Sequence, residues 1–381
     1  MTSPHYRLLR VLVAVAFAIG LTTGLAAQSP DPGPFRFARG LDAVACDHVT
    51  TVSVTDAWDG AQPLAYALVP QGAPAPDPGA YDAVVRVPVR RVVSLATPVL
   101  AHLADMEALD TVVGVDSGAY IYNRDIRRRL QDGSIREVGA GADLDLERLI
   151  ALDPDVVLVS VYGPDDPVVE RIRAAGVPVI VFADWREADP LGRAEWGRLV
   201  GMLLGRSAGA EARFATRVDR YTRLRDRVAE AISQEDRPTI MTNAPWQGSW
   251  PVPAGDSYMA RLFGDAGGAY LWADTTGTGS RFLDLETVLV RAADADVWIN
   301  GNVGWRALDD VVAVDPRLAT FAPFRNGAVY HNNGRVRPSG ANDFWESGAA
   351  RPDVVLEDLV RILHPALLPD HELVYYRRLD P

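Results

Sequence analysis

Aromatic and arginine side chains follow the predicted strands of this sequence at the points where the strands end. An aromatic ring offers a flat apolar surface, and a guanidinium group binds carboxylates and stacks on rings. Such a set suits a large ligand that is flat or anionic. The candidate ligand-binding residues are Tyr120, Tyr162, Trp185, Trp246, Trp250, Arg281, Trp305, Trp345 and Arg351.

Each candidate also has a purely structural interpretation. A tryptophan in a loop can pack beneath that loop, and Arg281 or Arg351 can form an ion pair at the surface or between domains. Five tryptophans at strand ends nevertheless exceed what core packing requires, so the set as a whole indicates a ligand site more strongly than any single member.

A similar phrase occurs once in each half of the chain. Leu144–Ile150 reads L-D-L-E-R-L-I, and Leu283–Leu289 reads L-D-L-E-T-V-L. Each phrase precedes a predicted buried strand and places one glutamate, Glu147 or Glu286, in the first turn of a predicted helix. The helix dipole favours an acidic residue there, which explains each glutamate singly. It does not explain why the whole phrase recurs.

Other chemistries find little support. A site for a bare zinc or manganese ion needs several converging histidines and carboxylates, and of six histidines only His331 follows a predicted strand into a candidate loop. No H-E-x-x-H, G-x-S-x-G or P-loop motif occurs, and the single cysteine, Cys46, precedes the predicted lobes. We predict no catalytic residue, no metal site and no cofactor. A secreted α/β enzyme is the alternative from another functional class.

The composition sets further bounds. A chain of 381 residues is long enough for two domains, each with its own core. The net charge of −12 argues against a nucleic-acid partner or an anionic membrane surface. Every basic side chain is an arginine, because the sequence contains no lysine.

The start of the chain predicts export. Arg7 and Arg10 precede the apolar run Val11–Leu21, and Leu25–Ala27 offers small residues for cleavage, so residues 1–27 are typical of a signal peptide. The run is short for a membrane anchor. Ala43–Cys46 faintly resembles a lipoprotein cleavage box but lies far beyond the apolar run. We therefore expect a periplasmic protein without a lipid on Cys46.

The predicted elements form an α/β fold with two lobes, each with a mainly parallel central sheet. Residues 28–90 contain a Pro- and Gly-rich leader over 28–40, which we expect to be flexible, and a hairpin of two strands, Val49–Ser53 and Leu64–Pro70. From Arg91 onward, short apolar strands alternate with helices, which is typical of strands covered on both faces. The pattern predicts an N-terminal lobe over 91–189 and a C-terminal lobe over 234–381.

Between the lobes, residues 190–233 predict one long rigid helix. Its apolar residues recur at steps of three and four, and no proline interrupts it before Pro238. At about 1.5 Å per residue it would be a rod of roughly 60 Å. We expect it to hold the lobes at a fixed separation and to permit only a small hinge motion.

Five stretches resemble the periplasmic substrate-binding proteins of ABC importers, in the class that serves iron–siderophore, haem and cobalamin uptake. The resemblance covers the chain from about Arg91 to Leu367. The two most specific stretches are the L-E-x-(I/L)-x-x-L-x-P-D phrase and its echo in the second half. The five stretches are Arg91–Leu95, Leu144–Leu158, Gly176–Val179, Asp265–Gly268, and Asp284–Glu286 with Ala293–Asp296.

The resemblance implies a function. In that family a rigid helix joins the lobes, and one glutamate per lobe docks into arginine pockets on the two permease subunits. By motif position these glutamates are Glu147 and Glu286. The resemblance implies a monomer that binds a ferric siderophore, with cobalamin or haem as alternatives, and delivers it to an ABC permease dimer in the inner membrane.

Overall fold

The computed structural model describes residues 35–163, 166–302 and 304–381. The predicted signal peptide over residues 1–27 and the first part of the leader lie outside these ranges. Within them, no helix has both the length and the hydrophobicity that a membrane crossing requires.

A four-stranded sheet precedes the two lobes. The predicted hairpin forms its centre, because β2 and β3 pair antiparallel, while β1 pairs antiparallel with β2 and β4 pairs parallel with β3. The buried hydroxyl of Tyr66 accepts a hydrogen bond from Val181 N at 3.1 Å and so joins this sheet to the N-terminal lobe. The strands are β1 (Leu41–Cys46), β2 (Val49–Val54), β3 (Leu64–Pro70) and β4 (Ala83–Val87).

The N-terminal lobe contains a sheet of five parallel strands, β5 (Val92–Leu95), β6 (Val112–Val115), β7 (Arg136–Glu137), β8 (Val156–Val159) and β9 (Val179–Val181). Their order across the sheet is β7-β6-β5-β8-β9. Strands β5, β8 and β9 are wholly buried, as their continuous apolar runs predict. The helices of this lobe are α1 (Thr97–Asp105), α2 (Arg124–Gln131), α3 (Leu146–Ala151) and α4 (Val168–Ala174).

The predicted single rod over residues 190–233 is wrong in its continuity. The segment forms three helices, α5 (Pro190–Glu195), α6 (Gly197–Leu203) and α7 (Ser207–Ala231). The first break falls at Trp196, between α5 and α6. The second falls at Leu204–Arg206, between α6 and α7, where Gly205 has a φ of 65°. This left-handed conformation favours glycine. Only α7 is long, with 25 residues. A helix rises about 1.5 Å per residue, so α7 spans roughly 37 Å.

Helix α7 contacts both lobes. Ala210, near its start, packs into the apolar core of the N-terminal lobe, whereas Phe214, Val218, Tyr221 and Val228 pack into that of the C-terminal lobe. The predicted apolar face of the segment is therefore confirmed, and it is shared between the two cores.

The C-terminal lobe repeats the architecture. Its sheet has the order β12-β10-β14-β15-β16, parallel except for β16, and β11 and β13 form a separate antiparallel ribbon. The strands are β10 (Thr239–Thr242), β11 (Trp250–Pro253), β12 (Ala269–Tyr270), β13 (Ser280–Leu283), β14 (Val297–Ile299), β15 (Val329–His331) and β16 (Arg377–Arg378). The helices are α8 (Tyr258–Asp265), α9 (Leu285–Arg291), α10 (Leu308–Val314), α11 (Ala322–Arg325), α12 (Asp343–Ala350) and α13 (Pro352–Leu363).

The predicted leader is fixed to the lobes over its last residues. The buried carboxylate of Glu195 accepts hydrogen bonds from the backbone N–H groups of Arg36, Phe37 and Ala38 at 2.6–3.0 Å. Glu187 likewise accepts from Arg39 N at 2.8 Å. The flexible leader expected through residue 40 is therefore wrong for residues 35–40, which are held by two buried carboxylates.

Candidate functional site

A cleft of about 870 Å³ lies between the lobes. Its N-terminal wall comes from the residues that follow β5, β6, β8 and β9, and its C-terminal wall from those that follow β10, β14 and β15 and from the start of α8. In open parallel sheets the carboxyl ends of the strands are where ligands bind, and here both sheets present those ends to one space.

The base of the cleft contains a buried ion pair. Arg193 on α5 donates through Nε to Asp184 Oδ2 at 2.8 Å, and both side chains are buried. The guanidinium carbon of Arg193 also lies 4.8 Å from the ring centroid of Tyr258 on α8. Arg193 therefore links the strand end after β9 in one lobe to the first turn of α8 in the other.

Three polar residues form a row along the C-terminal wall. Strands β10, β14 and β15 are neighbours in the sheet, with Thr242 opposite Ile299 and Ile299 opposite Tyr330. The next residue along the chain in each case therefore lies at the carboxyl edge of the sheet, beside the other two. These three residues are Asn243, Asn300 and His331. Asn243 and Asn300 have φ values of 63° and 59°. Asparagine tolerates this left-handed conformation better than most residues, and such strain is commonly found at ligand sites.

Two buried atoms of this row have no hydrogen-bond partner in the described part of the chain: Asn300 Oδ1 and His331 Nδ1. Asn300 Nδ2 points to Met259 Sδ at 3.8 Å, which leaves the amide oxygen free. Burial lowers the pKa of His331 to about 4, so its imidazole is neutral at pH 7. A buried polar atom without a partner costs free energy, and a ligand that supplies the partner recovers it.

Aromatic rings lie on the opposite wall. The ring centroids of Tyr162 and Trp185 are 5.2 Å apart, with Tyr162 mostly exposed to the cleft and Trp185 partly buried. Trp185 Nε1 is a further buried atom without a partner among the described residues. This wall thus offers a stacking surface, with a buried hydrogen-bond donor behind it that has no partner among the described residues.

Four of the residues predicted from the sequence line this cleft: Tyr120, Tyr162, Trp185 and Trp345. They come from three loops of the N-terminal lobe and from the first turn of α12, which are far apart in the sequence and which the fold brings together.

Trp250 and Trp305 do not lie on the cleft, and their predicted placement there is corrected. Both are buried in the core of the C-terminal lobe, where their ring centroids lie 5.8 Å and 5.4 Å from that of Trp298. Trp250 Nε1 donates to Thr242 O at 2.8 Å, so even its polar atom is used within the core. Packing beneath the loops, the alternative interpretation, describes these two residues.

Three other candidates also lie outside the residues that line the cleft. Trp246 is exposed in the turn before β11, and Arg281 is exposed on β13, although Ser280 beside it does line the cleft. Arg351 lies at the junction of α12 and α13. Their role in ligand binding stays a prediction.

Several polar residues of the cleft were not predicted from the sequence, among them Asp116, Arg193, Asn243 and Asn300. Asp116, Asn243 and Asn300 directly follow a strand, and that position was the available signal. Arg193 gave no signal, because it lies within the segment that predicted an uninterrupted helix.

The paired glutamates lie on the surface in equivalent positions. Glu147 and Glu286 are exposed in the first turns of α3 and α9, and the preceding aspartate caps each helix: Asp145 accepts from Arg148 N at 2.9 Å and Asp284 from Thr287 N at 2.7 Å. The recurring phrase is therefore an aspartate cap followed by an exposed glutamate.

The lobes also touch beside the cleft. Glu346 on α12 accepts hydrogen bonds from the backbone N–H groups of Tyr122 at 2.7 Å and Asn123 at 3.0 Å. Arg337 donates to Ile121 O at 3.0 Å. Helix α1 packs against α12 beneath these contacts. The loop that carries Tyr120 is thus attached to the opposite lobe.

No group of three or more histidine, cysteine or acidic residues within the described ranges is arranged to hold a metal ion. The polar groups of the cleft are instead spread over both walls, as recognition of a larger molecule requires.

Comparison with known proteins agrees with this geometry. The chain is 27% identical over 293 residues to an uncharacterized lipoprotein of Methanocaldococcus jannaschii, covering 74% of this chain and 67% of that protein. The fold is similar to the periplasmic heme-binding protein RhuT from Roseiflexus sp. RS-1, with a TM-score of 0.57 and 23% identity over 73% of this chain and 98% of that one. It is also similar to the molybdate-binding protein MolA of Haemophilus influenzae, with a TM-score of 0.56 and 18% identity over 76% and 90% of the two chains.

Residues 92–335 match the family of periplasmic binding proteins. The match runs from the first strand of the N-terminal lobe past β15 and so includes both walls of the cleft except Trp345 on α12. The chain therefore belongs to the periplasmic binding protein family, whose members are binding proteins of transport rather than enzymes.

Proposed function

We propose that this protein captures a chelated metal in the cleft between its lobes and delivers it to an ABC permease dimer in the inner membrane. A ferric siderophore is the first candidate ligand, and cobalamin or haem is the alternative within the same class. The observation that carries the proposal is the cleft itself, with its volume, its aromatic wall and its unpartnered polar atoms.

The volume favours a ligand larger than an ion. Pockets for drug-sized molecules enclose on the order of several hundred cubic ångströms. This cleft encloses about 870 Å³. A bare cation or a small oxyanion would leave most of that space to water and would not reach both walls.

The lining favours a ligand with flat or apolar faces and a few polar groups. Tyr162 and Trp185 offer ring surfaces on one wall, while Asn300 and His331 offer unpartnered polar atoms on the other. A metal chelate has this character, because its organic shell is large and partly apolar while its edges carry amide, hydroxyl or carboxyl groups.

Delivery to a permease rests on the exposed glutamates. Glu147 and Glu286, exposed on one lobe each, would meet arginines on two permease subunits, where charge-assisted pairs would fix the orientation of the binding protein. The packing of α1 against α12 and the contacts of α7 with both lobes support a small hinge motion on binding. We expect the protein to act as a monomer.

We place the protein in the periplasm without a lipid on Cys46. Lipoprotein processing cuts immediately before the lipidated cysteine, and here that cut would remove Leu41 and Ala43 of β1, which are buried in the core. Cys46 is the last residue of that strand and pairs with Val49.

Tryptophan fluorescence tests the proposal. Titration with a ferric siderophore, cobalamin or haem should quench fluorescence saturably with no turnover of the ligand. The quench should be lost in a Trp185→Phe, Trp345→Phe double variant, because both rings line the cleft. Trp246→Phe is the matched control, since Trp246 is exposed outside the cleft. Product formation, or a quench that survives the double variant, would contradict the proposal.

A further inference from the structure

The side chains that line the cleft carry more negative than positive charge. Its charged residues are Asp116, Asp166, Asp184 and Arg193. The buried pair of Asp184 and Arg193 is internally neutral at 2.8 Å. Asp166 accepts a hydrogen bond from Val168 N at 3.0 Å at the start of α4. Neither Asp116 nor Asp166 forms an ion pair with a cationic side chain of the described ranges, so two carboxylates remain without a cationic partner.

Helix ends offset only part of this charge. Helices α1, α4 and α8 begin at the cleft, and the start of a helix carries about half a positive charge. Together they contribute about one and a half units of positive charge against the two carboxylates. Helix α12 also begins there, but its first turn contains Asp343 and Glu346. The balance in the cleft stays negative.

Asp116 lies on the N-terminal wall of the cleft. It directly follows β6 at the carboxyl edge of the sheet and is partly buried. Burial and the nearby charge of Glu137 raise its pKa, while hydrogen bonds to backbone N–H groups oppose that shift. A carboxylate kept in such a place without a counter-ion is unfavourable for folding alone, and a positive group on the ligand would relieve it.

The cleft also contains buried polar side chains with atoms that lack a hydrogen-bond partner. Asn300 and His331 line it, and both side chains are more than nine-tenths buried. Asn300 Oδ1 and His331 Nδ1 have no hydrogen-bond partner among the described residues. His331 adds no compensating charge at pH 7, because it is neutral there.

We infer that the cleft selects metal chelates that are cationic or neutral and discriminates against anionic ones. This inference rests on the proposed function and assigns the charge class of its ligand. It reverses the expectation from the sequence, since Arg281 and Arg351, the cations that suggested an anionic ligand, do not line the cleft. A trihydroxamate with an ammonium or amide tail has the favoured charge, whereas a ferric tris-catecholate or haem with two propionates carries the disfavoured charge.

A matched ligand series isolates the charge. Ferrioxamine B, its N-acetyl derivative and its N-succinyl derivative share one ferric trihydroxamate centre and carry a cationic, a neutral and an anionic tail. We expect the dissociation constant to rise on the order of fivefold with each step toward negative charge, measured by fluorescence titration at low salt.

One pair of variants identifies the carboxylate responsible. Asp116→Asn should reduce the affinity ratio between the cationic and anionic derivatives several-fold. Asp110→Asn is the matched control, because Asp110 is exposed at the amino end of the same strand, away from the cleft, and should leave the ratio unchanged.

The outcomes separate this inference from the proposed function. Equal affinity for the three derivatives, or tighter binding of the anionic one, overturns the charge selection and leaves the proposed function standing. A ratio that Asp116→Asn does not change also overturns it. If no derivative binds and cobalamin and haem fail as well, the proposed function falls, and this inference falls with it.

Discussion

The carboxylate of Glu346 in the C-terminal lobe accepts a hydrogen bond of 2.7 Å from the backbone N–H of Tyr122 in the N-terminal lobe. This contact between the lobes is buried, since Glu346 is only 2% exposed. Burial is the largest cause that raises the pKa of Glu346 to about 7, and repulsion from Asp343 adds to it. Hydrogen bonds from Tyr122 N and Asn123 N oppose the shift.

This contact predicts a pH dependence of stability. The folded protein holds the Glu346 proton up to about pH 7, whereas the unfolded chain releases it near its ordinary pKa of about 4.3. Stability from this group is therefore greatest at low pH and is lost as the pH rises through that window, by up to about 4 kcal/mol. Denaturant unfolding at several pH values measures the free energies of unfolding of the wild type and of Glu346→Gln. The difference between the two should change by this amount across the window. Glu230→Gln, at an exposed site, should give a constant difference, and a constant difference for Glu346→Gln would contradict the prediction.

The fixed N-terminal segment gives a second prediction. Glu195 and Glu211 both pair with Arg198, but only Glu195 is buried and also accepts from three backbone N–H groups. Glu195→Ala leaves those donors unsatisfied and should lower the free energy of unfolding by about 3–5 kcal/mol. Glu211→Ala removes a partly exposed ion pair and should cost less than about 1 kcal/mol. Limited proteolysis should release residues 35–40 faster in the first variant only, and equal costs would rule out the role assigned to Glu195.

Substitutions at two glycines test the packing of α6 against α7 that follows from the break between them. A Cβ at Gly201 would lie 2.4 Å from the Cβ of Ala210 on α7. Gly201→Ala should therefore destabilise the protein by about 1–3 kcal/mol. A Cβ at Gly209, on α7, would meet nothing within 4 Å. Gly209→Ala should be neutral or stabilising by about 0.5 kcal/mol. Thermal unfolding of both variants measures the contrast, and a neutral Gly201→Ala would show that α6 and α7 are not in close contact.

The paired glutamates predict a loss of transport without a loss of binding. Glu147→Ala with Glu286→Ala removes both exposed carboxylates and leaves the capping aspartates in place, so ligand affinity and stability should be unchanged. Uptake through the cognate permease should fall to background, because each lobe loses its charged contact. A matched double variant at other exposed acidic residues, Asp110→Ala with Asp294→Ala, should transport normally. Normal uptake by the glutamate variant would exclude this docking role.

The architecture was predictable because it rests on local patterns. Buried strands such as Val156–Val159 are continuous apolar runs, and the face of α7 follows from steps of three and four. The breaks at Trp196 and Leu204–Arg206 were missed because residues 190–205 retain a helical pattern across them. Tertiary packing of α5 and α6 on different cores decides where the chain turns.

The residues of the site were harder to predict, because the burial of a side chain depends on tertiary packing. Trp185 and Trp250 each follow or begin a strand, yet one lines the cleft and the other is buried in a core. The row of Asn243, Asn300 and His331 depends on the register between three strands that are far apart in the chain. No local pattern reports such a register.

Native mass spectrometry of the exported protein tests the central claim most directly. We predict one non-covalent metal chelate per protein monomer, released on unfolding, and no lipid on the polypeptide. The bound mass should be lost or reduced in the Trp185→Phe, Trp345→Phe variant and retained in Trp246→Phe. A protein that carries no chelate and binds no ferric siderophore, cobalamin or haem at micromolar concentration would contradict the account.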